Sequence, residues 1–202
     1  MALKIYLAGP DVFLREAESV GRKKLQMCQE FGFEGLFPLD KDKDVGRDAA
    51  GIFRANCDLM RQADIGLFNL TPFRGPSADV GTVFELGFMF AQGKPVNGYA
   101  NAAPTYLGRV AEVFGPLDES DPSPRDRDGH TVENFGLYDN LMIVRAIADS
   151  GGVLTAVEAR DGSVGAPLAA LDAFRACLAA LRERNAGGAL ETAASSRRKG
   201  AS

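Results

Sequence analysis

The chain has 202 residues, of which 46% are apolar and 25% charged, with a formal net charge of −4. That balance fits one soluble globular domain with a sizeable core and excludes a broad basic surface for a nucleic-acid polymer. No apolar run approaches the roughly 20 residues of a membrane span, and MALKIYLAGPDVF is too short and too regular in pattern for a secretory signal.

Three widely spaced cysteines, Cys28, Cys57 and Cys177, read as reduced thiols of a cytoplasmic protein rather than a disulfide framework. The single histidine, His130, lies in the polar stretch DPSPRDRDGH and reads as a solvated loop residue. With no Cys/His cluster, a structural zinc site is not expected.

The elements follow in chain order. Lys4–Ala8 is a short apolar strand that ends in the turn Gly9-Pro10. Residues 15–31 carry helix formers and a mixed apolar face through Val20, Leu25 and Cys28. Gly35–Leu39 reads as a second strand, placed near an edge by Pro38. A helix is predicted over 48–62. Ala63–Leu70 is a third strand, so continuously apolar that both its faces should be covered. Thr71–Pro76 is a loop by composition.

Val80–Ala91 reads as a helix apolar on nearly every side, with Glu85 as its one charge. Lys94–Tyr99 is a weaker fourth strand. Residues 115–131 form a long surface insertion or flexible loop. Asn140–Ala148 is helical, Val153–Ala156 a short strand, and Pro167–Arg184 an amphipathic helix with Leu168, Leu171, Phe174, Leu178 and Leu181 on one face. From about Asn185 the composition suggests a disordered tail.

This alternation predicts a single-domain α/β fold over 1–184, a parallel flavodoxin- or Rossmann-like sheet of about five strands flanked by helices. Ligands of such sheets bind beyond the carboxyl ends of the strands. Those ends are Gly9-Pro10, Leu39-Asp40 and the loop from Leu70 to Asp79. Neither GxGxxG nor GxxxxGK[ST] is present, so the two commonest phosphate cradles are absent.

Glu85 is the residue that asks for a reason. A lone glutamate on an apolar helix is paired or used. A buried salt bridge to Arg54 or Arg74 would account for it. So would a ligand, because Gly81 lies one turn before it on the same face and leaves open space. Asp79 stands where loop becomes helix and serves as an N-cap, with the helix dipole favouring its charge. A desolvated carboxylate facing a cavity is suited to acid–base work or to nucleophilic attack on an anomeric carbon.

Four segments carry a resemblance. They are KIYLAGPDVF, NCDLMRQADIGLFNLTPFRG, ADVGTVFELG with GK after it, and FGLYDNLM, together spanning residues 4 to about 145. The sequence resembles the nucleoside 2-deoxyribosyltransferase family, especially its purine-accepting branch. The resemblance implies a nucleophile at Glu85, a sugar-holding carboxylate at Asp79, and Tyr6 hydrogen-bonded to the nucleophile. It implies a wall around the base from Gly9, Pro10 and Phe13, and Asn140 and Met142 inserted into a neighbouring subunit's site. A homo-oligomer with shared sites follows, acting on a deoxynucleoside and a free nucleobase, with no metal or organic cofactor, no nucleic-acid polymer and no membrane.

One position departs from the family pattern. Some members carry an aspartate on the helix before the third strand, where this chain has Asn56, with Asp58 two residues on. An amide cannot supply the proton of a carboxylic acid. Asp40 and Asp58 are the substitutes the sequence offers. The alternative reading is an N-glycoside hydrolase of nucleosides or their 5′-monophosphates, for which Arg74 and Ser77 are the available donors and Asp11 an obstacle if it faces the site. A third is a domain that binds a nucleotide without turnover.

Overall fold

The computed structural model describes residues 2–38, 48–102, 105–120, 122–157 and 166–187. Its core is a five-stranded, all-parallel sheet in the order β2-β1-β3-β4-β5. The strands are β1 (Lys4–Ala8), β2 (Glu34–Leu36), β3 (Ile65–Asn69), β4 (Val96–Ala100) and β5 (Leu154–Ala156). The predicted α/β class and strand count both hold. β2 is an edge strand, as Pro38 foretold, but stops at Leu36, two residues before that proline.

The helices divide between the two faces. On one face α1 (Ala17–Glu30) and α7 (Asp172–Ala186) cover β1, β3 and β4 through Cys28, Phe174, Cys177, Leu178 and Leu181, with Phe33 and Phe37, which flank β2, in the same core. On the other, α2 (Ala49–Gln62), α3 (Val80–Ala91) and α5 (Leu141–Asp149) pack through Leu59, Met60, Leu86, Met89, Ile143 and Ile147. β3 is buried at every residue, which explains its unbroken apolar run. All three cysteines are free and buried. None of the described helices is long and apolar enough to cross a membrane.

Three expectations change in detail. The helix expected over 15–31 runs from Ala17 to Glu30, and a 3-10 turn, Pro10–Phe13, precedes it. The helix expected over 167–184 is two pieces, α6 (Ala166–Ala169) and α7, broken at Ala170-Leu171. α4 (Tyr106–Phe114) was not expected at all; Thr105 caps it by accepting from Gly108 N at 3.4 Å.

The 115–131 segment contains two isolated antiparallel bridges, Asp118 with Arg125 and Arg125 with Thr131. The expected tail from Asn185 lies mostly outside the described residues, and α7 runs to Ala186.

α3 differs from its sequence reading in one respect that matters below. Only Thr82, Leu86 and Met89 are buried, while Val80 is 85% exposed and Phe84 53%. Among the described residues, the helix has an exposed apolar outer face. Phe84 stacks between Phe53 and Phe88, with ring centroids 6.1 and 6.2 Å away.

Candidate active site

The strand order reverses direction between β1 and β3, and the crevice at such a switch point is where doubly wound sheets bind ligands. β1 and β3 are adjacent and parallel, so the turn after Ala8 and the loop after Asn69 open side by side. Gly9 is required there by close approach. A β-carbon on it would run into the Asn69 side chain and Asp11.

Glu85 sits on α3 at half burial, without an ion pair among the described residues. The alternative account, a salt bridge to Arg54 or Arg74, is not what holds it. Tyr6, from the middle of β1, donates its hydroxyl to Glu85 Oε1 at 2.7 Å. Asn56, from α2, donates Nδ2 to the same oxygen at 3.2 Å. Oε2 has no partner among the described residues. Two neutral donors on one oxygen stabilise the carboxylate while leaving the other oxygen open.

Burial is the largest influence on Glu85 and pushes its pKa up; the Tyr6 and Asn56 hydrogen bonds oppose this, and the nearby Asp79 charge adds to it. Tyr6 is itself raised, first by burial and then by Glu85, so it remains a protonated donor. Tyr6 packs against Phe68, whose ring it meets edge-on at 6.5 Å.

Asp79 is the N-cap of α3, as its position predicted. Its Oδ2 accepts from Thr82 N at 2.9 Å and Thr82 Oγ1 at 3.0 Å. Its other oxygen has no partner among the described residues. A β-carbon at Gly81 would meet only Asp79 Oδ2, at 3.1 Å, so that side of the helix is otherwise open.

The remaining predicted residues fall in four places. Pro10 and Phe13 lie in the turn after β1, Phe13 59% exposed and stacked on Phe73 at 5.4 Å and 7°. Asn140 caps α5, accepting from Met142 N at 3.0 Å and donating to Glu133 Oε1 at 2.6 Å, while Met142 is 71% exposed. Asp58 is exposed and pairs with Arg61 at 2.8 Å, so the structure does not join it to Glu85. Asp40 lies outside the described residues.

Sequence reasoning missed two buried polar networks. In the first, Lys24 and Asp11, 1% and 0% exposed, pair at 2.5 Å. Asp11 also accepts from Asn69 Nδ2 at 3.0 Å, and Asn69 Oδ1 takes both Thr71 N and Thr71 Oγ1. Lys24 Nζ lies over Phe37, Tyr99 and Phe174, and burial lowers its pKa against the pull of Asp11. Asp11 therefore faces the interior, not the crevice.

In the second network, Asp139 receives Ser77 Oγ, Ala78 N at 3.0 Å and Asn140 N at 2.8 Å, with Arg109 at 3.4 Å. Its only sequence signal was a polar pair, Asp139-Asn140, ahead of an apolar helix. Lys94, the lysine of the GK pair, donates to the Met60, Arg61 and Ala63 carbonyls at 2.7, 2.8 and 2.7 Å, closing the end of α2. A cavity of about 240 Å³ lies beyond β3 and β4, lined by Thr71, Pro72, Pro76 and Val113 among others. It includes none of Tyr6, Asn56, Asp79 or Glu85.

Asp126, Asp128 and His130 bring their ligand atoms within 4.8 Å of one another. Their grouping follows from a turn in which Asp126 accepts from the Asp128 and His130 N–H groups.

A family model described as nucleoside 2-deoxyribosyltransferase matches residues 5–142. The chain belongs to that family. The matched span holds every predicted site residue. A 2-deoxyribosyltransferase structure from Leishmania mexicana superposes with a TM-score of 0.62 at 28% identity, covering 90% of this chain and 97% of that one. An uncharacterized protein of Schizosaccharomyces pombe is 33% identical over 165 residues, 73% of this chain and 78% of its own. As a member of the nucleoside 2-deoxyribosyltransferase family, the chain is a glycosyl-transferring enzyme of the deoxyribosyltransferase type.

Proposed function

We propose that the protein transfers 2-deoxyribose between nucleobases by a retaining double displacement, with Glu85 as nucleophile. The observation that carries this is the convergence of Tyr6 and Asn56 on Glu85 Oε1, which leaves Oε2 as the attacking oxygen. A carboxylate fixed on one side and open on the other is aimed rather than merely tolerated.

In the first half-reaction Oε2 forms a bond to C1′ as the C1′–N bond breaks through an oxocarbenium-like transition state. The base departs with the bonding electron pair and takes a proton from solvent, because the amide of Asn56 has no acid proton to give. The free oxygen of Asp79 accepts a sugar hydroxyl. In the second half-reaction a ring nitrogen of the incoming base attacks C1′, expels the carboxylate and loses its own N–H proton. Two inversions give net retention.

The assembly belongs to the same proposal. Phe53 and Phe84, 55% and 53% exposed, form an apolar outer face on the helices that carry Asn56 and Glu85. A second copy of the chain covers this face, and its Asn140 and Met142 complete the site.

The test is incubation with deoxyinosine, with and without excess adenine, followed by chromatography. Deoxyadenosine should form only when adenine is present, and Glu85→Ala should abolish it. Free deoxyribose forming at the same rate with or without adenine would overturn transfer in favour of hydrolysis. Sedimentation at micromolar concentration should show more than one copy per particle.

A further inference from the structure

The loop from β3 to α3 is fastened at both ends. At its start Thr71 is bound to Asn69 through N at 3.1 Å and Oγ1 at 2.6 Å. At its finish Ser77 and Ala78 are held by Asp139, and Arg109 Nε donates to the Pro76 carbonyl at 2.6 Å. Phe73 N closes the turn onto Ser77 O at 3.0 Å.

Between these fastenings stands Arg74, with φ of 57°. It is the sole non-glycine among the described residues in the left-handed region. Glycine adopts that conformation freely, and an arginine there is strained. Such strain persists where surrounding contacts impose it, and it clusters at functional sites.

The side chain is as informative as the backbone. Arg74 Cζ lies 4.7 Å from the Phe73 ring and 5.5 Å from the Phe13 ring. These two rings stack across the openings that follow β3 and β1. Among the described residues the guanidinium makes no hydrogen bond and no ion pair. Neither nearby aspartate pairs with it: Asp11 is buried against Lys24, and Asp79 accepts from Thr82. Ser77 is likewise bound, to Asp139. Arg74 thus presents open N–H donors from an aromatic platform at the switch point of the sheet.

The geometry points to Arg74 as a specificity-determining residue that reads the base, favouring 6-oxopurines such as hypoxanthine and guanine. The inference rests on the nucleoside reading above. A guanidinium is a planar fork of donors, and O6 and N7 of an oxopurine are two adjacent acceptors at matching spacing. Adenine places an amino donor where the oxygen would be, so donor meets donor. The strained backbone holds the fork where a flexible surface arginine would wander.

A 5′-phosphate also offers paired oxygen acceptors, so the experiment has an arm for each. The specificity constants of deoxyinosine, deoxyadenosine and deoxyinosine 5′-monophosphate are measured for the wild type, Arg74→Gly and Arg74→Lys, with one common acceptor base. Glycine suits the backbone, so the Arg74→Gly variant should melt no lower than the wild type. The wild type should favour deoxyinosine over deoxyadenosine by roughly ten- to a hundredfold, the discrimination typical of a good bidentate contact. Both variants should bring that ratio close to one, with the larger loss on deoxyinosine.

A ratio unaltered by the substitutions overturns the proposal. So does a wild type that prefers the monophosphate, with only that preference lost in Arg74→Gly; the arginine then serves an anion. Should the wild type turn over none of the three, the transferase reading fails separately. Calorimetric binding of hypoxanthine and adenine then decides. Weaker hypoxanthine binding in Arg74→Gly, with adenine unaffected, supports base reading, and equal changes overturn it.

Discussion

Tyr6 and Glu85 are 79 residues apart in sequence, yet the Tyr6 hydroxyl lies 2.7 Å from Glu85 Oε1. The bond ties the strand beside the sheet's switch point to the helix that carries the proposed nucleophile. It also sets a conflict. Burial favours the protonated acid, while the two donors favour the carboxylate the reaction needs.

That conflict has a pH signature. A nucleophilic Glu85 is active only when ionised, so kcat/KM should fall as pH drops through its pKa. Because that pKa is raised, the acid limb should lie on the alkaline side of an ordinary glutamate's. Tyr6→Phe and Asn56→Leu each remove a group that lowers it. Each should move the limb further alkaline and reduce kcat by about tenfold or more. A limb that stays put in both variants would mean that Glu85 is not the titrating group.

Glu85→Gln separates catalysis from folding. The glutamine keeps an oxygen for Tyr6 and Asn56 but cannot form the ester, so kcat should fall on the order of a thousandfold or more. Stability should move the other way. With its folded pKa above its unfolded value, Glu85 binds its proton more tightly in the folded chain, and stability falls as pH rises between the two values. At neutral pH the variant should therefore melt at or above the wild type, and the difference should vanish in acid. Thermal melts at several pH values check this.

The buried pair beneath the turn after β1 gives a sharper stability test. Asp11→Asn leaves Lys24 without its charge partner inside the protein, which typically costs about 3–5 kcal/mol. Lys24→Met alone strands Asp11 in the same way. The double variant removes both charges and should recover much of the loss. Denaturant titration of the three proteins reads the coupling directly; additive losses would show that the pair does not act as a unit.

Lys94 should matter for folding and not for chemistry. Its three bonds to the carbonyls at the end of α2 satisfy groups that a helix terminus leaves open. Lys94→Met should cost about 2 kcal/mol in denaturant midpoint measurements, with kcat per folded molecule unchanged. A selective loss of kcat would place Lys94 in the reaction instead.

How much of this was legible in the sequence depends on the distance over which each feature acts. α3 was read with its observed bounds because its signals are local. Asp79 caps it, and Gly93, at φ 71°, follows its end. The sheet was read from apolar runs that reflect burial on both faces. α4 escaped because its interior has Gly108, and its buried residues include Arg109 rather than a clean apolar stripe. The candidate site residues came through motif resemblance. What joins them did not, since Asn56 reaches Glu85 across 29 residues and Ser77 reaches Asp139 across 62. Asp11 shows the same limit. Its sequence position suggested a charge near the ligand, and only the fold reveals Lys24 beside it.

Asp139 grips the segment leading into Asp79 and, through the N–H of Asn140, the first turn of α5. These two pieces of chain therefore move as one lever. In the proposed assembly, a neighbouring subunit that presses on Met142 presses on the fulcrum of that lever, and the carboxylate at its far end is the one proposed to hold the sugar. Dilution below the dissociation constant would then do more than subtract the atoms a neighbour supplies. It would slacken the alignment inside each remaining protomer, and specific activity would fall more steeply than the fraction dissociated.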